Sequence, residues 1–353
     1  MKDYSMMEPA LEFLAAYGPD LRSGLTSHAP MAVEALAALG RADAVMPWLE
    51  DYRKGMEPRP IAHGQIGRDD WPAALGRTDR VADWGAFFAN ALADAPWREV
   101  LARWIARLAP AICASATHGV IRVGHAVRSL GEAETTARIR ELADGLGYWA
   151  AAYQTLPTAR DTPGALRARQ AIARVPVVPP AQRKFSGTIV SSLEALDDFP
   201  DFAHVIGLLD VTPEPAPVLS DMSETFARVY LANAHDFLSA IVFIHGVTST
   251  AALRSILPYL PDATARDATR YAWQAGCALY SAFGKSPAPA GEIEPPRESR
   301  ETLIDMAIAN GDEHAIKFTE ACLREHELTP SPAYLAAARH AIGVLVAHRG
   351  PGS

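Results

Sequence analysis

Basic charge, cysteine pairs and long apolar runs are all scarce in this chain. Its 353 residues hold 33 Lys and Arg against 41 Asp and Glu, a formal net charge of −8, and the pI is near 5.8. That balance gives no electrostatic footprint for a phosphate backbone or a basic membrane-surface helix, so neither nucleic acid nor membrane is an expected partner. The three cysteines, Cys113, Cys277 and Cys322, are far apart and lack CxxC spacing. An odd, scattered set reads as reduced thiols, and residues 1–8 are polar and mixed in charge, unlike a signal peptide; the expected location is the cytoplasm. No apolar run reaches the roughly 20 residues that span a bilayer. The nearest, 237–247, is interrupted by His245. The terminal Gly-Pro-Gly-Ser reads as a disordered tail.

Familiar catalytic signatures are missing as well. There is no HExxH, no GxSxG and no GxGxxG opening a helix after a strand, which removes the motif-based cases for zinc peptidase, serine hydrolase and dinucleotide-binding chemistry. No ExxH pair repeats as a ferritin-like di-iron bundle requires. Asp197-Asp198-Phe199-Pro200-Asp201 matches a bare DDxxD. However, Pro200 interrupts the helix that would align those carboxylates on magnesium-diphosphate, so it reads as an acidic turn.

What the chain does have is alanine and helical periodicity. Apolar residues make up 49% and charged residues 21%, ordinary for a globular protein. Apolar positions at i, i+3, i+4 and i+7 recur almost throughout. They predict helices over 6–17, 30–39, 44–52, 84–93, 97–116, 119–130, 132–152, 163–173, 223–243, 248–257, 263–283, 298–309, 313–327 and 332–347. The stretches 55–80, 175–180, 211–218 and 285–296 read as irregular, and 188–196 fits strand or helix. No long linker divides the chain, so 1–353 reads as one domain. Two segments, about 97–156 and 224–285, resemble each other. Each has an apolar helix ending in His-Gly-Val, then Arg-Ser-Leu or Arg-Ser-Ile, a polar turn and an aromatic-rich helix. The expected fold is all-α, a pseudo-repeated helical bundle with a central cavity.

The repeat makes His118 and His245 equivalent, each at an apolar helix end before a glycine, where imidazole stays neutral and serves as ligand or base. The competing reading, for each alone, is a buried histidine satisfied by a carbonyl. His28, just before Pro30, stands at a helix start. His314 and Lys317 share a helix face at i, i+3, with a solvated surface pair as the bland alternative. His125 lies two turns beyond His118 on the same face, with Arg122 between them. His63, His204, His235, His326, His340 and His348 read as solvated or structural. Tyr148, Trp149, Tyr153, Trp273 and Tyr280 either line an aromatic pocket or pack the core.

Four segments, SHAPMAVEALAALGR from Ser27, THGVIRVGHAVRSL from Thr117, FIHGVTSTAALRSIL from Phe243 and DEHAIKFTEAC from Asp312, in this order resemble the questin oxidase-like family over nearly the whole chain. The resemblance implies an all-helical oxidoreductase acting with O2 on aromatic polyketides, including anthraquinone ring opening. It also implies that His28, His118, His245 and His314 surround the reaction centre, with Lys317 beside them. Imidazole suits iron, so the leading expectation is a haem-free, flavin-free Fe(II) oxygenase with those four histidines as ligands. Arg122 and His125 would then orient or deprotonate a phenol. Lys317 is expected in the metal shell, with carbamate formation as one route to a negative oxygen ligand. Two alternatives stay open: a metal-free, NADPH-dependent Baeyer–Villiger-type oxygenase, and a non-catalytic helical binding protein. A monomer or homodimer is expected, with only a small aromatic substrate and O2 as partners.

Overall fold

The structure, a computed structural model, describes residues 1–159, 164–288 and 291–345. Its elements begin α1 (Met7–Leu14), β1 (Tyr17–Leu21), α2 (Ala29–Ala38), α3 (Ala42–Tyr52), β2 (Met56–Pro58), α4 (Trp71–Ala74), α5 (Val81–Asp94), α6 (Trp97–Leu108), α7 (His118–Glu132) and α8 (Thr136–Ala151). They continue with α9 (Ala168–Ala171), α10 (Ile189–Leu193), α11 (Pro215–Asn233), α12 (Phe237–Ile256), α13 (Asp262–Phe283), α14 (Arg300–Asn310), α15 (Glu313–Leu328) and α16 (Pro332–Val344). The fold is all-α, with one two-stranded ribbon, β1–β2, among the described residues. Two compact units are distinguishable: Met1–Thr155 with Ala252–Ala268, and Leu156–Ala251 with Thr269–Ser353.

In the first unit α2 is buried around its whole circumference, from Ala29 to Ala37, and apolar there at every position but one, which is the signature of a core helix rather than an amphipathic one. Its single charge, Glu34, is 1% exposed. Helix α7 packs on α2 and α8, and α5 packs along α8. Glycine permits these close crossings. A Cβ on Gly147 would lie 2.9 Å from the Gly85 nitrogen, and one on Gly124 would lie 2.5 Å from the Ala252 carbonyl oxygen. Thr135 caps α8 by accepting from the Arg138 N–H.

In the second unit α11, α14, α15 and α16 pack together. Asp312 begins α15 as its N-cap, its carboxylate accepting from the N–H groups of His314 and Ala315. Gly311 just before it takes φ 79°, the left-handed end of α14. Trp273 stacks on Phe226 with centroids 5.8 Å apart, and its Nε1 donates to the Val205 carbonyl at 3.0 Å.

Several expected boundaries are corrected. The helix expected over 97–116 stops at Leu108, because Pro110 lacks an N–H and turns the chain into a short 3-10 segment, Ala109–Ala111. The helix expected over 223–243 begins earlier, at Pro215, and ends at Asn233. Helix α12 then runs unbroken from Phe237 to Ile256; Gly246 is retained inside it, where a Cβ would press on Phe226 at 3.1 Å. His245 therefore lies well inside a helix, whereas His118 is the first residue of one. Their expected common placement at apolar helix ends does not hold. The ribbon was expected as helix end and irregular chain; Gly18 and Pro19 end the helical pattern and let Tyr17–Leu21 pair with Met56–Pro58. The 188–196 segment is helical, with Thr188 capping α10.

By length and composition Phe237–Tyr259 is apolar enough to cross a membrane, contrary to the sequence reading, but 78% of its apolar window is buried within the protein. Its polar side chains bond to the preceding turn instead: the hydroxyls of Thr248 and Thr250 donate to the carbonyls of Ile244 and Gly246. The segment is a core helix. The helix expected over 163–173 is reduced to α9 and a 3-10 turn, Ile172–Arg174. Pro163, the last two residues of the helix expected over 332–347, His348 and the Gly-Pro-Gly-Ser tail lie outside the described residues.

Candidate functional site

In the first unit, His28 and His118 come together. Their ring centroids are 4.5 Å apart, and both residues are buried. His28 holds the N-cap position of α2 but its side chain does not cap the helix; its backbone N–H donates to Tyr52 Oη at 3.0 Å. His118 is placed by an unusual backbone. Ser115, Ala116 and Thr117 all have positive φ, at 49°, 53° and 70°. Left-handed backbone costs a non-glycine residue roughly 1–2 kcal/mol, so three in a row must be held by their surroundings. One such hold is the Ser115 carbonyl, which accepts from His118 Nδ1 at 2.5 Å. A carbonyl can only accept, so Nδ1 carries the hydrogen and the lone pair is on Nε2.

The hydroxyls of Ser27 and Thr117, the residues immediately preceding the two histidines, are buried without a hydrogen-bond partner in the protein. Buried hydroxyls rarely stay unsatisfied, and such orphans mark places where a small polar ligand or water completes the bonding. The two imidazoles, buried and close together, offer nitrogen donors of the kind a transition-metal ion takes.

In the second unit, His245 and His314 form a second pair, with ring centroids 6.2 Å apart. His245 Nδ1 donates to the Ile241 carbonyl at 2.6 Å, giving the same tautomer as His118. Burial, and secondarily the nearness of His314 and Lys317, lowers its pKa to about 3, so the ring is neutral at physiological pH. His314 Nδ1 lies 3.2 Å from Asp312 Oδ1; the N-cap carboxylate of α15 thus also orients the imidazole, as carboxylates do behind metal-bound histidines. Lys317, one turn further along α15, is only 2% exposed. The solvated surface pair weighed from sequence is therefore not what forms. Burial lowers the Lys317 pKa to about 8, against the opposing pull of Glu313 and Asp312.

Arg122 and His125 face other partners. Arg122 Nε and Nη2 bond to the two Glu141 oxygens at 2.6 and 2.9 Å. His125 Nδ1 lies 2.6 Å from Glu34 Oε2, which Arg128 also engages. A cavity of about 330 Å³ opens beside Arg122, with Pro19, Pro60, Ala82, Gly85 and Ala86 among its walls. Trp149 and Trp273 are fully buried, with their N–H groups bonded to the carbonyls of Ala111 and Val205, and serve the core. Of the other histidines, His63, His204 and His235 are exposed. His326 pairs with the Ser331 carbonyl and His340 with Tyr230 Oη. The acidic turn holds no aligned carboxylates: Asp198 pairs with Lys184 at the surface, and Pro200 starts a separate 3-10 turn.

The questin oxidase-like family profile matches residues 26–322, from just before His28 to beyond His314 and Lys317. The chain belongs to the questin oxidase-like family. No curated protein matches it significantly. Membership in the questin oxidase-like family makes it an oxidoreductase, and the matched region contains each of the buried histidines described above.

Sequence reasoning missed Asp312, Glu34 and the Ser115 carbonyl. Asp312 was open to detection, since an Asp directly before an apolar helical pattern is a capping signal. The other two arise from tertiary contacts and leave no local mark.

Proposed function

We propose that this protein is a non-haem, iron-dependent oxygenase that uses O2 to oxidise or cleave a planar aromatic polyketide of the anthraquinone kind. The proposed ligands are His28, His118, His245 and His314. The observation that carries the reading is the shared tautomer: His118 and His245 each commit Nδ1 to a backbone carbonyl and His314 commits Nδ1 to Asp312. This leaves the lone pair of each ring on Nε2, the state in which imidazole binds a divalent transition metal. The three cysteines are poor alternatives, because burial raises all their thiol pKa values, that of Cys113 to about 12.

Iron(II), when bound, supplies the redox centre through which O2 reacts with an organic substrate. The chain's own residues prepare that substrate. Arg122 would hold the anionic oxygen of an ionised phenol, and His125, oriented through Nδ1 by Glu34, would accept the phenolic proton at Nε2. The cavity beside Arg122 supports a flat ligand with an apolar face and a polar edge, since the α5 side presents Val81, Ala82, Gly85 and Ala86 while Arg140 and Asp144 of α8 lie opposite in the lining. Lys317, buried one turn from His314, belongs to the ligand shell as its carbamate. The amine nitrogen bonds the carbon of CO2 and a proton departs, adding one negative oxygen to a set of neutral imidazoles.

Elemental analysis of untagged protein, reconstituted with Fe(II) without oxygen, tests this. Near-stoichiometric iron is expected, and each of His28→Ala, His118→Ala, His245→Ala and His314→Ala should weaken binding by about tenfold or more. A wild type that binds no iron yet oxidises substrate with NADPH would replace this reading with the metal-free one.

A further inference from the structure

Two residues before His28 and three before His118 stand hydroxyl side chains, Thr26 and Ser115, and both reach the same phenol. Tyr148 Oη lies 2.6 Å from Thr26 Oγ1 and 2.5 Å from Ser115 Oγ, while the two smaller hydroxyls are 3.4 Å apart. Three hydroxyls bring three hydrogens to three contacts, so the triangle can close with every donor used.

We infer that Tyr148 is a positioning residue: through Thr26 and Ser115 its hydroxyl sets the spacing and orientation of the His28 and His118 rings. The inference rests on the proposed function only in taking those rings as ligands. Helix α8 is a suitable anchor. At Gly147 it crosses α5 too closely to admit a Cβ, and the next residue but one, Trp149, is fully buried and bonded to the Ala111 carbonyl at 2.8 Å. Two successive side chains of α8 therefore grip the segment leading to His118, at Ala111 and at Ser115. Ser115 is the first residue of the left-handed run, and its own carbonyl holds His118 Nδ1. Turning Ser115 turns that carbonyl and the ring with it. On the other strand of the clamp, Thr26 forms a bridge with Asp20, and Ser27 N–H donates to the Pro19 carbonyl at 2.7 Å. The segment carrying His28 is thus tied at its backbone and at one hydroxyl. Losing the phenol oxygen removes the two short contacts and leaves the 3.4 Å one.

The experiment compares ¹⁵N imidazole spectra of the full-length protein, metal-free and then titrated with Zn(II) as a diamagnetic probe. Tyr148→Phe should shift and broaden the His28 and His118 signals and weaken zinc binding about tenfold. Thr26→Val, which keeps the shape but not the hydroxyl, should act likewise, while Thr26→Ser should keep the wild-type spectrum. Tyr334→Phe, which removes another buried phenol whose oxygen bonds the Ser220 carbonyl, should lower stability without moving either signal. Unchanged His28 and His118 spectra in both Tyr148→Phe and Thr26→Val would overturn the role. If the wild type takes up no metal, the iron reading falls, and the metal-free spectra still decide this one.

Discussion

Glu34 Oε2 and His125 Nδ1 lie 2.6 Å apart, a carboxylate and an imidazole meeting inside the first unit where Glu34 is 1% exposed. Arg128 engages the same carboxylate, and Tyr4 Oη donates to it at 2.5 Å. Burial alone would raise the Glu34 pKa. Arg128 and His125 outweigh it and hold the group far below the usual carboxylate range.

That depression fixes the sign of an acid effect. A carboxylate with a lowered folded pKa contributes stability that is fully present above its unfolded pKa, about 4.3, and lost as pH falls towards the folded value. The wild-type melting temperature should therefore fall steeply below about pH 4. Glu34→Gln should be less stable at neutral pH and show a shallower acid limb. Parallel melting curves for the two proteins between pH 7 and pH 3 would disprove this.

Arg122 and Glu141 form a second buried pair, so removing one partner strands the other. Arg122→Ala should cost about 3–5 kcal/mol. A double replacement, Arg122→Met with Glu141→Leu, should recover much of it. Denaturant unfolding of single and double variants checks the coupling, and additive losses would contradict it.

Helix crossings made through glycine should tolerate no side chain. Gly124→Ala places a methyl 2.5 Å from the Ala252 carbonyl oxygen, and Gly147→Ala meets the backbone of α5; each should destabilise by about 1–3 kcal/mol through overpacking. Gly291→Ala, where a Cβ meets nothing within 4 Å, is the control. Thermal melts of the three variants suffice.

Metal removal should be visible as stability. Chelation of the iron-loaded protein should lower its melting temperature, and re-addition of Fe(II) should restore it, since a ligand bound only by the folded state stabilises by mass action. His118→Ala and His245→Ala should show little response to chelator, while His204→Ala, at an exposed position, should respond as the wild type does.

The all-α class, most helices and the residues of interest were legible locally, because each rests on periodicity, composition or a short motif. Alanine-rich 3.6-residue patterns left few alternatives to helix, and the His-Gly-Val segments drew attention to His118 and His245. Capping residues such as Thr188 and Asp312 also act within one turn of chain. What tertiary structure decided is where contacts between distant segments override or redirect those local signals. Three non-glycine residues from Ser115 to Thr117 carry no mark of left-handed backbone; the conformation exists because α8 and the His118 ring hold it. His125 read as a base beside His118, yet its Nδ1 is claimed by Glu34, 91 residues away in sequence. Tyr148 read as one aromatic among five, and only the approach of Thr26 and Ser115, 122 and 33 residues distant, makes its hydroxyl matter. Lys317 read equally well as a surface charge, and its burial follows from packing around α15. Local sequence specifies backbone preference and polarity, whereas the partner of a buried polar group is specified by whichever segments packing brings within 3 Å.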